Sequence, residues 1–190
     1  LRLRGKQAHA AYPEEGCNPI PLLAGLLDAL PALCRQVAPK GLLLYTPVGF
    51  QAGGCNFGVS PGAGSLALTL RADRQQDIAA LVQAMAAWLT ARLPQGMSRS
   101  LEDRDVFPDT TNHAPLVDAG AAILKQAGLS PRFLDAPMRW SEDFGHFLRA
   151  FPGFYLGLGA GESQPGLHTP GYRFNDALLG PGLAVLWALA

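Results

Sequence analysis

Between Trp140 and Asp176 the chain reads WSEDFGHFLRAFPGFYLGLGAGESQPGLHTPGYRFND, which gathers residue types that metal and acid–base chemistry use. A hydroxyl and two carboxylates open it at Ser141, Glu142 and Asp143. An apolar strand candidate follows at Phe154 to Leu158, and a glycine-rich loop then delivers His168. A histidine on a loop just past a strand stands where α/β folds bind ligands, because the carboxyl ends of strands line the crevice. An imidazole there can hold a divalent metal or move a proton. The plainer reading is local: Ser141 is a good helix N-cap, and Glu142 and Asp143 in the first turn complement the helix dipole. Plain readings also exist for His9 as an exposed strand-end residue, for Asn56 as a turn residue among glycines, and for Arg71 as a solvent-facing charge on a sheet. His113 and His146 fit no motif and are read as structural.

The wider pattern adds to this. SEDF, PGFYLGLGAG, GLHTP and YRFND, followed by an apolar terminal helix, resemble in order and spacing the C-terminal end of the zinc amidohydrolase and metallopeptidase family of hippurate hydrolase, N-acyl-amino-acid amidohydrolases, auxin-conjugate hydrolases and aminoacylase. GKQAHAAYPEEGCNPI resembles the opening of that family's lid, or dimerisation, domain, and NFGVSP with SLALTLR resembles the lid's central strands. The resemblance covers nearly the whole chain. It implies that His168 is a zinc ligand. It also implies that His9 reaches an active site across a homodimer and steadies the oxyanion of a tetrahedral intermediate. Asn56 and Arg71 would hold the substrate's carboxylate, the latter through its guanidinium fork, and Ser141 would stand among the substrate-contacting residues.

A complete member polarises a scissile amide on two zinc ions and attacks it with a metal-bound water. Most metal ligands and the general-base glutamate precede the lid in that family. The expectation is therefore part of an amidohydrolase acting on N-acyl amino acids or small peptides with a free carboxylate, incomplete and inactive as this chain alone. The alternative is a non-catalytic ferredoxin-like module that dimerises or binds a small carboxylate, which would have no use for His168.

Composition narrows the partners. The 190 residues are 48% hydrophobic and 16% charged, on the globular side of the disorder boundary. Fifteen basic residues balance fifteen acidic ones, so no overall field or basic run attracts nucleic acid or an anionic membrane. Cys17, Cys34 and Cys55 are odd in number and far apart, which fits reduced thiols and a cytoplasmic setting better than a disulfide framework. No apolar run is expected to reach the roughly 18 residues that span a bilayer.

The elements that must position these residues follow from periodicity. LRLR alternates as a half-buried strand. Asn18 caps a helix starting at Pro19, whose stripe is Ile20, Leu23, Leu27, Leu30, Cys34 and Val37, with a kink or early end expected at Pro31. A strand is expected at Leu42 to Val48. Ser65 to Arg71 alternates, with Leu66, Leu68 and Leu70 facing one way and Thr69 and Arg71 the other. A second helix after Asp73, with Gln76 in a reciprocal cap, presents Ile78, Leu81, Val82, Met85 and Leu89. Met97 to Asp105 weakly suggests a last strand. The β-α-β-β-α-β order is a ferredoxin-like split unit. The polar segment from Glu102 to His113 reads as a hinge, giving a lid at residues 1–107 and the C-terminal part of an α/β catalytic domain at 108–190. Beyond the hinge come a helix from Pro115 to Gly128, a short strand at Arg132 to Ala136, a helix from Ser141, the Phe154 strand and a helix from Asp176.

Overall fold

The computed structural model describes residues 1–140 and 142–190. It divides into two units, the first built on Leu1–Asp109 with a short return segment beginning at Met138, the second on Thr110–Pro137 with Glu142–Ala190.

In the first unit, strands β1 (Arg2–Arg4), β3 (Leu43–Ala52), β5 (Ala63–Ala72) and β6 (Ser98–Ser100) form an antiparallel sheet of order β3-β5-β1-β6. Strands β2 (Ala8–His9) and β4 (Val59–Ser60) pair separately. Helices α1 (Ile20–Val37) and α2 (Gln75–Thr90) connect β1 to β3 and β5 to β6. This is the split βαβ arrangement expected from the pattern. Leu66, Leu68 and Leu70 lie on the core side of β5, as their alternation requires, with Leu3 and Leu66 almost wholly buried beneath the helices.

The helix α1 differs in detail from its sequence reading. Its fully packed residues are Leu22, Leu23, Leu26, Leu30 and Leu33, while Leu27, Cys34 and Val37 are half-buried at the edge of the core. The stripe is turned from the one read off the sequence, because that reading passed over Leu22, Leu26 and Leu33. Pro31 does not shorten the helix, which runs its full 18 residues. Pro31 lies on the exposed face, where water can take the carbonyl that its missing N–H leaves unpaired. With a mean hydropathy of 1.4 over 18 residues, α1 is also long and apolar enough to cross a bilayer, contrary to expectation. Here that apolarity packs against the sheet and α2.

Asn18 Oδ1 accepts from Ile20 N–H at 2.9 Å, so it does serve the start of α1. Asp73, expected just ahead of α2, instead accepts from Leu42 N–H at 2.8 Å, and α2 starts after Arg74 with no side-chain cap. The carboxylate is spent on the loop entering β3.

The second unit contains helices α3 (Ala114–Gln126), α4 (Gly145–Ala150) and α5 (Leu179–Leu189), the last preceded by a 3-10 turn at Asp176–Leu178 that Asn175 Oδ1 caps at Ala177 N–H, 3.1 Å away. Neither Arg132 to Ala136 nor Phe154 to Leu158 is a strand in the structure. A strand exists only in a ladder, and the described residues give this segment no neighbouring strand. The side chain of Asn112 stands in for one at a single residue. Its Oδ1 accepts from Tyr155 N–H at 2.8 Å and its Nδ2 donates to Tyr155 C=O at 3.2 Å. Phe154 packs on α3 at Gly120, where a Cβ would lie 2.5 Å from the ring.

Candidate functional site

Of the residues singled out from the sequence, His9 stands on the small β2–β4 ladder, opposite Val59 with Ala8 opposite Ser60, and Asn56 lies in the turn that enters β4. The turn entering β4 is tied at several points. Asn56 Oδ1 accepts from Gly58 N–H at 3.1 Å, Val59 N–H donates to Asn56 C=O at 3.2 Å, and Ala10 N–H donates to Gly58 C=O at 2.9 Å. Asn56 therefore fills the turn role its neighbours suggested, and its turn is bonded to the strand that carries His9.

The same bonds set what the two side chains can offer. His9 Nδ1 accepts from Ala11 N–H at 3.0 Å. A nitrogen that accepts carries no proton, so in the neutral ring the proton sits on Nε2, which becomes a donor. Asn56, with its oxygen committed to Gly58, has only its Nδ2 protons left to give. Both residues are exposed. The β2 strand and the turn entering β4 thus each present an N–H donor with no side-chain acceptor among the described residues, which suits a carbonyl, oxyanion or carboxylate oxygen. Beside Asn56 an open cleft of about 410 Å³ is lined by Gln7, Gly53, Gly54, Pro61 and Gly62.

Arg71 is not part of this group. It stands near the far end of β5, opposite Leu44, whereas the β4 turn leads into the strand's beginning at Ala63. At about 3.3 Å per residue, Ala63 and Arg71 are about 26 Å apart along the strand. A single carboxylate cannot touch Asn56 and Arg71 of the same chain. The Arg71 side chain is half-buried, and its Nη1 donates to the Arg139 carbonyl at 3.4 Å.

In the second unit His168 adopts a left-handed backbone, φ +62°, at the third position of the Gly166–Thr169 turn. That turn is closed by Thr169 Oγ1 and N–H, both donating to Gly166 C=O, at 2.7 and 3.3 Å. The left-handed region is costly for a residue with a Cβ and is ordinarily filled by glycine. Among the described residues no three His, Cys, Asp or Glu side chains come together in a metal-ligating group. A zinc centre takes three or four protein ligands, so the donors described here do not by themselves fit one.

Ser141 lies outside the described residues. The helix expected to begin there starts later, at Gly145, with no acidic residue in its first turn. Glu142 and Asp143 precede it, and Asp143 C=O accepts from His146 N–H at 2.9 Å. Their charge is felt instead at Tyr155, whose hydroxyl is pushed above its usual pKa by burial first and by these two carboxylates in addition. The sequence reading passed over Asn112 and Tyr155. Only the position of Asn112, just before a helix, hinted at a backbone-bonding role.

Residues 1–97 match the family described as peptidase dimerisation domain. Among curated relatives, an IAA-amino acid hydrolase, ILR1-like 2 of Arabidopsis thaliana, is 27% identical over 198 residues, covering 99% of this chain and 44% of its own length. An N-acetyldiaminopimelate deacetylase of Lacticaseibacillus casei is 26% identical over 189 residues, covering 97% of this chain and 49% of its own. The chain thus spans about half the length of the curated relatives it matches. Among solved structures, aminopeptidase PepT of Bacillus cereus superposes with a TM-score of 0.67 at 17% identity, over 99% of this chain and 49% of that one, and shows the fold alone.

Proposed function

This chain belongs to the peptidase dimerisation domain family, and from that premise we propose that it serves a metal-dependent amidohydrolase that cleaves the amide bond of N-acyl amino acids or small peptides bearing a free carboxylate. Residues 1–107 act as the lid and dimerisation domain, and residues 108–190 as part of the catalytic domain. The relatives named for hydrolysing an amino-acid conjugate and for removing an acetyl group support this substrate class.

The observation that carries the reading is a pair of donors, His9 Nε2 on β2 and Asn56 Nδ2 in the turn entering β4, with no acceptor among the described residues. An amide under attack gathers negative charge on its oxygen, and fixed N–H donors aimed at that oxygen lower the barrier. In this reading His9 takes the oxyanion, and Asn56, Arg71 and Ser141 take the rest of the substrate. His168, held in a conformation that costs energy, supplies one ligand to a divalent metal, zinc by its donor type, whose remaining ligands come from elsewhere. Three unpaired cysteines fit a reducing compartment such as the cytoplasm.

The distance of about 26 Å along β5 adds a requirement. If Asn56 and Arg71 hold one substrate, they come from two copies, as a two-fold homodimer allows. Chains carrying Asn56→Ala or Arg71→Ala should each lose binding of N-acetylglycine, followed by NMR. Mixing the two variants should restore about a quarter of the wild-type sites, the statistical yield of one intact site per mixed dimer. A mixture as inert as its components would refute the shared site, and undiminished binding by either variant would remove that residue from it.

A further inference from the structure

The cleft of about 410 Å³ beside Asn56 has a second carboxamide in its lining, Gln7, which the functional reading leaves unused. Gly53, Gly54 and Gly62 line the same cleft and bring no side chain to fill it. Gly62 also fixes where Gln7 stands. A Cβ at Gly62 would lie 2.5 Å from the Gln7 nitrogen, so a side chain there would force the two stretches of backbone apart. Gly5 N–H donates to Gly62 C=O at 2.7 Å, and Ala8, the residue after Gln7, pairs with Ser60. The Gln7 backbone is thus tied on both sides to the stretch that follows the Asn56 turn. Its side chain is exposed and has no hydrogen-bond partner among the described residues.

We infer that Gln7 is a specificity-determining residue that accepts the N–H of the substrate's amide; the inference rests on the functional reading above. The two carboxamides of the cleft differ in what they can offer. Asn56, with its oxygen committed to Gly58 N–H, has only protons to give. Gln7 keeps its Oε1 as well as its Nε2, so of the two it is the one that can accept. An N-acyl amino acid asks for this division of roles. Its carboxylate only accepts, and its amide N–H, separated from the carboxylate by the α-carbon alone, only donates. With the carboxylate on Asn56 Nδ2, the N–H falls to Gln7 Oε1 in the same cleft. An ester of the same shape carries an oxygen at that point and has no proton for Gln7 to accept. A carboxamide on a backbone held at both sides needs little ordering beyond its own rotamer, so the bond is expressed as affinity.

The test uses the 190-residue chain and two probes, N-acetylglycine and its ester counterpart acetoxyacetate, with dissociation constants measured by NMR titration. Gln7→Ala should weaken N-acetylglycine about two- to ten-fold, the worth of one hydrogen bond, and leave acetoxyacetate unchanged. Gln7→Glu keeps the acceptor and adds a charge that repels the carboxylate of both probes alike. It should therefore weaken both and preserve the wild-type ratio between them. Because Gln7 is exposed, neither variant disturbs the core. A ratio unaltered by Gln7→Ala, including an equal loss for both probes, overturns this inference alone, since Gln7 would then shape the cleft without reading the N–H. A Gln7→Glu ratio that falls to the Gln7→Ala value does the same. Binding of neither compound by the wild type overturns the carboxylate reading on which the inference stands.

Discussion

At the scale of single residues, the structure separates side chains that shape the backbone from those left available for a ligand. His168 is the sharpest instance. Its φ of +62° would suit glycine, and a left-handed L-residue gives up about 1–2 kcal/mol. His168→Gly should therefore tighten the Gly166–Thr169 turn. The amides of Thr169 and Tyr172, which donate to Gly166 and Thr169 carbonyls, should exchange with solvent more slowly, by roughly five-fold for about 1 kcal/mol. Faster exchange in the variant would show that the imidazole itself holds the loop. A residue kept where glycine would cost less is consistent with the ligand role proposed for His168, since strained positions cluster at functional sites. Such strain was not legible in GLHTP, because φ is set by the closing of the turn and not by residue type. The donor character of His9 was hidden for a similar reason. The bond from Ala11 N–H to Nδ1 depends on the local backbone and the ring's rotamer, which residue type alone does not fix.

At the scale of elements, alternation and turn residues were enough to give the sheet and its two helices. Leu66, Leu68 and Leu70 announced β5 because a two-residue period has only one way to face a core. The helix ends were less legible, since Asp73 had two uses open to it and the loop at Leu42 took it. The Phe154 to Leu158 segment failed as a strand because β structure is a property of pairs, and apolar β-branched or aromatic residues supply only one partner. Pro31 gives the element-scale prediction. It sits on the exposed face of a helix that continues for six residues beyond it, to Val37, and removes one i to i−4 bond. Pro31→Ala should stabilise the first unit, by up to about 3 kcal/mol, the difference in helix propensity. Thermal or urea unfolding would show it. A loss of stability instead would mean that the ring packs against something its exposed position does not suggest.

At the scale of the whole chain, apolar burial is distributed unevenly. The well-buried hydrophobic residues Leu3, Leu23, Leu26, Leu30, Leu66, Leu81 and Leu89 all belong to the first unit, whereas Leu124 is the one buried large hydrophobic residue of the second among the described residues. In the second unit Phe147, Phe151, Leu183, Leu186 and Trp187 are all more than half exposed, with Trp187 at 84%. Each fully buried large side chain contributes about 1.5–3 kcal/mol, so the first unit has a core that can hold it folded and the second has little beyond its local helices. Short helices without packing are marginal in water. The isolated chain should therefore show two levels of amide protection. Amides in β5, α1 and α2 should exchange only on global opening of the first unit, and those of α4 and α5 should exchange orders of magnitude faster. Denaturant should remove the slow class in one cooperative step while the fast class responds little, having little surface to expose. Equal protection across both units would mean that the exposed faces of α4 and α5 are covered in solution, and sedimentation of the same sample would then show whether a second copy covers them.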